Sequence, residues 1–328
     1  MVKSTVISLF AGCGGSSLGY KWAGYKELLA IEWDDNAVET FKLNFPEVPI
    51  WQKDIKEVTG NEIMKFLNIK KGELDLLDGS PPCQGFSTAG KRQVIDNRND
   101  LVNENIRLID ELQPKIFVIE NVSGMIKGKM KGLFIEYIKK MKTLNYQVKC
   151  KLMNAKYYNV PQSRQRVIFI GVRKDLGIEP SYQEGNKKLI TIREVFKDLE
   201  VGYKKYPNGE AKKIIKEMKP NEDGCDAFNR IYNNKKRRWF GMKRLSYNLP
   251  SKTIVKTLLS GLVHPEEDRY LTINELKRIS TFPDDYKFIG KFEEQWSRIG
   301  NSVPPLFMKA IAEHIRINIL EKAVMLNG

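Results

Sequence analysis

The first half of the chain alternates short apolar runs with segments of helical periodicity. Short runs rich in β-branched residues favour buried strands, and the 3.6-residue period between them favours helices. This alternation predicts an α/β fold with a doubly wound, mostly parallel sheet up to about residue 175. The predicted strands cover residues 6–10, 27–31, 74–77, 116–120, 148–153 and 166–172.

The pattern changes near residue 175, where glycines and prolines begin to interrupt a polar, basic segment. A helix follows at 271–281, with Thr272 as its cap and Glu275 in capping-box spacing. A last amphipathic helix is predicted at 304–323, because apolar residues recur there at helical spacing. We therefore predict a larger domain made of 1–176 plus 292–328, and a smaller domain at 177–291.

Charge is unevenly distributed along the 328 residues. Lys and Arg number 55 against 40 Asp and Glu, a net charge of +15. Residues 201–245 hold thirteen basic and five acidic residues, a local excess of eight, and aromatic residues lie among them. A basic segment mixed with aromatics suits a nucleic acid, whose phosphates attract cations and whose bases stack. A solvated charged face is the alternative.

Other compositional features exclude several classes of protein. No apolar run approaches the eighteen residues of a membrane helix, and the N-terminus lacks the apolar core of a signal peptide. A cytoplasmic protein without membrane contact is expected. The four cysteines form no CxxC pair and only two histidines are present, so neither a disulfide framework nor a metal site is predicted.

The sequence GSPPCQGFS at 79–87 contains the candidate nucleophile, Cys83. It follows the predicted strand 74–77, and open α/β sheets bind their ligands at the carboxyl ends of strands. Pro81 and Pro82 restrict the backbone before the cysteine, which lowers the entropy lost in holding a sulfur atom for attack. The alternative, a buried structural cysteine, is the commoner fate of a lone cysteine.

A glycine-rich turn, FAGCGG at 10–15, follows the first predicted strand and opens a helix. Such a turn lets a ligand approach the main chain closely. Glu32 lies twenty residues beyond Gly12, after the second strand, where a carboxylate accepts bonds from ribose hydroxyls. Trp33 offers a face for a purine ring, and Asp54 ends the third strand region. Together these residues predict a nucleotide-containing ligand.

A carboxylate and two guanidinium groups complete the candidate chemistry. Glu120 ends an apolar strand, at the same predicted sheet edge as Cys83, where it can hold the proton of a ring nitrogen. Arg164 and Arg166 precede and begin another strand, and the period of two predicts that they share a face. They can orient a base oxygen or a phosphate. A capping or ion-paired glutamate and structurally paired arginines are the alternatives.

The order of these motifs resembles that of the bacterial DNA (cytosine-5)-methyltransferases of type II restriction–modification systems. The similarity covers residues 8–175 and about 244–320, where RIGNSVPP at 298–305 is the last shared motif, and it leaves the basic middle segment unmatched. It implies a fold of the S-adenosylmethionine-dependent methyltransferase type, and it implies that the smaller domain recognises the target sequence. The chain has DNRN at 96–99 where the family often has Asp-x-Arg-Gly.

The resemblance also implies a reaction. Cys83 would attack C6 of a cytosine that has left the duplex, and C5 would then take a methyl group from S-adenosylmethionine. Glu120 would hold the proton at N3, and Arg164 and Arg166 would complete the catalytic set. The segment 84–100 would close over the base. The implied cofactor site consists of Phe10, Gly12, Gly14, Gly15, Glu32, Trp33, Asp54, Ile55, Leu101, Asn301 and Ser302.

The implied partner is double-stranded DNA, which would place the protein at the nucleoid. A monomer is expected, with a cognate restriction endonuclease as a possible separate companion. Three rival functions stay open: an RNA-directed methyltransferase, a DNA-binding regulator without activity and a nicotinamide-dependent oxidoreductase. The RNA-directed branch carries a Cys-Phe-Thr tripeptide, which this sequence lacks.

Overall fold

A computed structural model of the chain describes residues 3–82, 100–126, 131–233, 241–258 and 261–327. Cys83 and residues 84–99 of the predicted closing segment lie outside the described residues. None of the described helices is long and apolar enough to cross a bilayer.

The chain divides into two compact units. The first contains Met1–Met153, Gln165–Glu184 and Met308–Gly328, and the second contains Asn154–Arg164 and Gly185–Phe307. These units are defined by how compactly the chain packs, whereas the predicted domains separate a catalytic and cofactor-binding part from a target-recognition part. The functional domain boundaries at 176 and 292 therefore stay a prediction.

The first unit is built on a seven-stranded sheet with the order β3-β2-β1-β4-β5-β7-β6. The pairs β1–β2, β2–β3, β1–β4 and β4–β5 are parallel, and β5–β7 is antiparallel. The strands are β1 (Thr5–Leu9), β2 (Lys26–Glu32), β3 (Ile50–Gln52), β4 (Leu76–Gly79), β5 (Ile116–Val122), β6 (Tyr146–Asn154) and β7 (Gln165–Arg173).

Helices connect these strands and bury the sheet, which explains why its central strands are apolar on both faces. The helices of this part of the chain are α1 (Gly15–Trp22), α2 (Asp35–Asn44), α3 (Gly60–Leu67), α4 (Asp100–Leu112) and α5 (Lys131–Thr143). A large apolar core includes Ile7, Leu9, Leu77 and Phe117, each at most 1% exposed. The predicted mostly parallel α/β sheet is confirmed.

The second unit has its own apolar core, which includes Ile214, Leu276 and Trp296, each fully buried. Its elements are α6 (Ile192–Phe196), α7 (Gly209–Glu217), α8 (Gly224–Tyr232), β8 (Lys243–Arg244), β9 (Leu262–Val263), α9 (Ile273–Ile279) and α10 (Phe292–Asn301). The helix predicted at 271–281 is confirmed as α9, and the hydroxyl of Thr272 and the carboxylate of Glu275 form the expected capping box.

The end of the chain returns to the first unit. α11 (Pro305–Ile315) continues through a π-helical turn, Arg316–Leu320, into α12 (Glu321–Asn327). The Tyr25 hydroxyl donates to the Ala312 carbonyl at 3.2 Å, and Arg316 donates to the Ala23 carbonyl at 2.8 Å. The predicted helix at 304–323 is confirmed, and its apolar stripe is buried.

Close packing between β5 and β7 predicts the effect of one added methyl group. Gly171 pairs with Phe117 across these strands, and a Cβ at Gly171 would overlap the Phe117 ring. We expect Gly171→Ala to lower the free energy of unfolding by about 1–3 kcal/mol, because the ring must leave its packed position. Chemical denaturation would measure this loss.

Gly132→Ala is the matched control, because a Cβ at this exposed helical glycine would contact nothing within 4 Å. It should leave stability unchanged or raise it by up to about 1 kcal/mol. Equal stability of the two variants would contradict the packing explanation.

Candidate active site

Polar side chains follow several strands at one edge of the sheet. β1, β2, β4 and β5 run parallel, so their carboxyl ends meet at that edge, and antiparallel β7 begins there. Phe10 follows β1, Glu32 ends β2, Gly79 ends β4, Glu120 lies near the end of β5 and Arg166 lies at the start of β7. The structure therefore brings most of the predicted site residues of the first unit to one edge.

The turn after β1 has an unusual backbone conformation. Phe10, Gly12 and Gly14 all have positive φ, of 57°, 56° and 91°. Gly14 is the residue before α1 and Gly15 begins the helix. Left-handed φ explains the glycines at positions 12 and 14, whereas Phe10 is a non-glycine residue held in a conformation that such residues rarely adopt. The turn is thus held in a defined shape at a helix N-terminus.

The carboxylate of Glu32 fixes this turn to the end of β2. One oxygen accepts from the Gly12 N–H at 2.8 Å, and the other accepts from the N–H groups of Trp33 and Asp34 at 2.9 and 3.0 Å. Because a carboxylate oxygen can accept more than one bond, the same group can also accept from a ligand hydroxyl. The indole of Trp33 is 71% exposed, which leaves its ring available for stacking.

The other predicted cofactor residues lie in different places. Asp54 follows β3, is exposed, and accepts a bond from the Lys56 N–H, while Ile55 is buried. Leu101 lies on α4 and packs against the core of the first unit. In the second unit, Asn301 ends α10 and is exposed, and Ser302 donates to the Arg298 carbonyl. Their place in a cofactor site stays a prediction.

Glu120 and Arg166 form an ion pair with 2.5 Å between Arg166 Nε and a carboxylate oxygen. Val122 pairs with Arg166 in the antiparallel β5–β7 ladder, and Glu120 lies two residues before Val122, so both charged side chains share a face. Their side chains are only 10% and 12% exposed. A mostly buried carboxylate is thereby held in place beside a guanidinium that cannot lose its charge.

Arg164 requires a correction. Its side chain was predicted to share a strand face with Arg166, but β7 begins at Gln165, so strand periodicity does not reach Arg164. The guanidinium is buried and donates to main-chain carbonyls of the second unit, those of Ile254, Gly300 and Asn301, at 3.1, 3.0 and 3.4 Å. These contacts hold main chain in place, and a catalytic role for Arg164 stays a prediction.

Sequence reasoning missed a buried carboxyl group that precedes the candidate nucleophile by five residues in the sequence. Asp78, on β4, is 1% exposed and accepts a hydrogen bond from the fully buried Tyr20 hydroxyl at 3.1 Å. Burial raises the pKa of Asp78 to about 8. The available signal was an acidic residue within an otherwise apolar strand, which is costly unless the residue has a purpose.

Fold and site together define a class of protein, the α/β methyltransferases. Two comparisons with solved structures support this. An Escherichia coli prophage protein described as a DNA modification methyltransferase matches with a TM-score of 0.75 and 26% identity, over 97% of this chain and all of that one. A DNMT2 protein of Spodoptera frugiperda matches with a TM-score of 0.66 at 20% identity, over 98% and 100%, which indicates a shared fold.

Sequence comparison specifies the family. The pattern of the C-5 cytosine-specific DNA methylases matches residues 4–316. The type II methyltransferase M1.HphI of Haemophilus parahaemolyticus is 35% identical over 95% of this chain and 86% of its own length, and M.DdeI of Desulfomicrobium norvegicum is 32% identical over 94% and 88%. The chain belongs to the C-5 cytosine-specific DNA methylase family and is a DNA cytosine-5 methyltransferase. The resemblance seen in the sequence is confirmed.

The contacts of Arg164 predict a large effect on stability. Arg164→Met would leave several buried carbonyl groups without their donor, so we expect the free energy of unfolding to fall by about 3 kcal/mol. Denaturant titration would measure it. Arg193→Met, an exposed arginine of the same unit, is the matched control and should cost about 1 kcal/mol or less. A stable Arg164→Met protein would show that these contacts contribute little.

Proposed function

We propose that the enzyme transfers a methyl group from S-adenosylmethionine to C5 of a cytosine flipped out of duplex DNA, through a covalent bond between Cys83 and C6. The observation that carries the proposal is the Glu120–Arg166 pair on β5 and β7. β5 is the neighbour of β4, whose chain continues to Cys83 four residues after the strand ends. In this proposal the thiol of Cys83, the carboxyl group of Glu120 and the guanidinium of Arg166 would all act on the same cytosine.

The chemistry explains why these three groups are needed. C5 of cytosine is a poor nucleophile until C6 has been attacked, so covalent catalysis divides a difficult step into easier ones. The Cys83 sulfur forms a bond to C6 while Glu120 holds a proton at N3, which takes up the electron density pushed into the ring. Arg166 fixes the Glu120 carboxyl group and contributes to holding the base. C5 would then take the methyl group, with S-adenosylhomocysteine as the leaving product. Transfer of the C5 proton to a base and cleavage of the S–C6 bond would restore the ring and release the thiolate.

The residues of the glycine-rich turn fit S-adenosylmethionine, which supplies the methyl group when bound. Gly12 and Gly14 have positive φ, which favours glycine, and without side chains they leave the main chain of the turn accessible. A Cβ at Gly12 would contact nothing within 4 Å, so there is open space beside the turn. Glu32 can accept bonds from the ribose hydroxyls, and the exposed ring of Trp33 can stack on the adenine. Asp54 lies just beyond β3, next to the end of β2, and offers a further acceptor.

Sequence-specific binding to DNA is proposed for the domain at 177–291. Opening the duplex to expose one base costs a few kcal/mol, which contacts to the DNA must supply. The basic helix α7 carries three exposed lysines, Lys212, Lys213 and Lys216, while its Ile214 and Ile215 pack into the core. Such a helix presents its positive charge to solvent, where phosphates can approach.

The biological setting is proposed from the names of the relatives. Both M1.HphI and M.DdeI are named type II methyltransferases. We infer that this enzyme belongs to a restriction–modification system, in which a separate endonuclease reads the same site. We also infer a monomer that works on DNA at the nucleoid in the cytoplasm.

The covalent step predicts a stable adduct. Duplex DNA with 5-fluorocytosine at the target position blocks release of the base, so the wild-type enzyme with S-adenosylmethionine should become linked to DNA through Cys83. Cys83→Ser should form no adduct and transfer no methyl group while still binding cofactor. Mass spectrometry of the linked peptide is the readout. Glu120→Gln, which keeps the thiol, should slow trapping by about 10²–10⁴-fold.

A methyl-transfer assay separates the rival functions. Radiolabel transfer into duplex DNA and not into tRNA is the expected result, and the reverse would indicate an RNA-directed enzyme. Near-normal methyl transfer by Cys83→Ser would rule out the covalent mechanism.

Charge on α7 predicts salt-dependent binding. Replacing Lys212, Lys213 and Lys216 by Ala should weaken DNA binding and reduce the slope of log K against log salt by up to about 3, because each lysine that contacts a phosphate releases about one counterion. Replacing three exposed lysines of the first unit, Lys65, Lys70 and Lys71, is the matched control. An equal loss in both variants would mean that α7 has no special role.

A further inference from the structure

A group of polar side chains lies between the sheet and α1 in the first unit. Five of its members are at most 7% exposed, and the sixth, Glu27, is partly buried. The members are Ser8, Ser16, Ser17, Tyr20, Glu27 and Asp78. Polar groups in such a place destabilise a protein unless they are hydrogen-bonded. The reaction described above uses none of them, so their purpose needs another explanation.

Side-chain hydrogen bonds tie α1 to the sheet within this group. The Tyr20 hydroxyl donates to Asp78 on β4 at 3.1 Å, and the Ser17 hydroxyl donates to Glu27 on β2 at 2.9 Å. Asp78 pairs with Ser8 on β1 and with Val118 on β5, so it lies in the middle of the sheet. The bond from Tyr20 therefore joins the helix directly to a central strand.

The Asp78 carboxyl group lies in a setting that favours its neutral form. Burial is the largest cause that raises its pKa, to about 8, and the negative charges of Glu27 and Glu120 add to the rise, while the hydroxyls of Tyr20 and Ser16 oppose it. Across the described residues, no cation forms an ion pair with Asp78. Near neutral pH the side chain is therefore mainly a neutral acid.

The groups around Asp78 come from every element that packs against it. Glu120 on β5 is itself paired with Arg166 on β7, which reduces its effect on Asp78. Burial raises the pKa of Glu27 to about 7, and Lys21 on α1 lowers it. Two carboxyl groups in one partly buried cluster cannot both ionise cheaply. This also favours a proton on Asp78.

The Tyr20–Asp78 hydrogen bond links the helix that follows the glycine-rich turn to the strand that precedes Cys83. Tyr20 lies on the helix that begins directly after the glycine-rich turn, and Asp78 precedes Cys83 by five residues. Gly79, next to Asp78, is packed so closely that a Cβ there would overlap the Asn105 side chain. A shift at Asp78 therefore cannot be absorbed by the neighbouring residue.

We propose that Asp78 is a positioning residue for methyl transfer, which through its hydrogen bond with Tyr20 holds the strand before Cys83 in a fixed position relative to the glycine-rich turn at 10–15. The inference rests on the proposed roles of Cys83 and of the 10–15 turn. Asp78 touches neither the base nor the cofactor. It acts by keeping the distance between the methyl donor and the attacked ring fixed, and an error of about 1 Å in such a distance costs about a hundredfold in rate.

Three variants and a control test the proposal. Asp78→Asn keeps the shape and the acceptor for Tyr20 and cannot ionise, so near neutral pH it should retain kcat within about twofold of wild type. Asp78→Ala should lower kcat by about tenfold or more, and Tyr20→Phe should fall between them. Tyr25→Phe is the control, because it removes another buried tyrosine hydroxyl, one bonded to the Ala312 carbonyl.

The pH profile identifies the working form of Asp78. Wild-type kcat should fall with a midpoint near pH 8 as Asp78 ionises, and Asp78→Asn should remove that fall or move it to higher pH. The free energy of unfolding should also fall as pH rises toward 8. The unfolded chain ionises Asp78 at an ordinary acidic pKa and the folded chain does so only near pH 8, so the contribution to stability is lost as pH rises between these values, and Asp78→Asn should abolish this loss.

Each outcome has a clear reading. Equal defects in Asp78→Asn and Asp78→Ala near neutral pH would mean that the charged form is required, and normal activity in Asp78→Ala would mean that the residue positions nothing. Thermal melting verifies folding, and if Asp78→Ala does not fold, the pH profile of Asp78→Asn decides. Absence of a 5-fluorocytosine adduct in the wild type would refute the covalent chemistry. Calorimetric titration of Asp78→Ala with S-adenosylmethionine would still show whether Asp78 affects the glycine-rich turn at 10–15.

Discussion

The meeting of parallel strand ends at one edge of the sheet is the constraint on which the candidate active site depends. Parallel strands covered by helices are mainly apolar along their length, so side chains that must reach a ligand lie where the strands end. Glu32 and Glu120 stand at such ends on β2 and β5, and β4, which lies between β1 and β5, leads to Cys83. The sheet order therefore makes neighbours of residues that are far apart in sequence.

Buried acids near this edge are stabilised in two different ways. Glu120 lies beside a permanent cation, the Arg166 guanidinium. Asp78 is bonded to hydroxyl groups, and keeping its proton avoids the cost of a buried charge. Adjacent strands of one sheet thus place one acid next to a cation and the other among neutral hydroxyl groups. Environment, more than residue type, decides what each acid can do.

Much of this architecture could be predicted from the sequence, because strands buried on both faces read as continuous apolar runs. The strand order could not, and the Glu120–Arg166 pair depends on it, since antiparallel β7 lies next to β5. The prediction for Arg164 was wrong about its strand face because the start of β7 is not marked by periodicity. The bond between Tyr20 and Asp78 joins residues 58 apart, and no local pattern encodes it.

The return of the last helices to the first unit has a consequence for folding. The contact between Tyr25 and Ala312 spans 287 residues, so forming it closes a segment of the chain that contains every residue of the second unit. Contacts between residues so far apart in sequence slow folding. The second unit is built mainly from one continuous segment, Gly185–Phe307, so its contacts are closer in sequence. The unit with the more local contacts should therefore acquire its structure early, and the catalytic sheet should reach its native packing last.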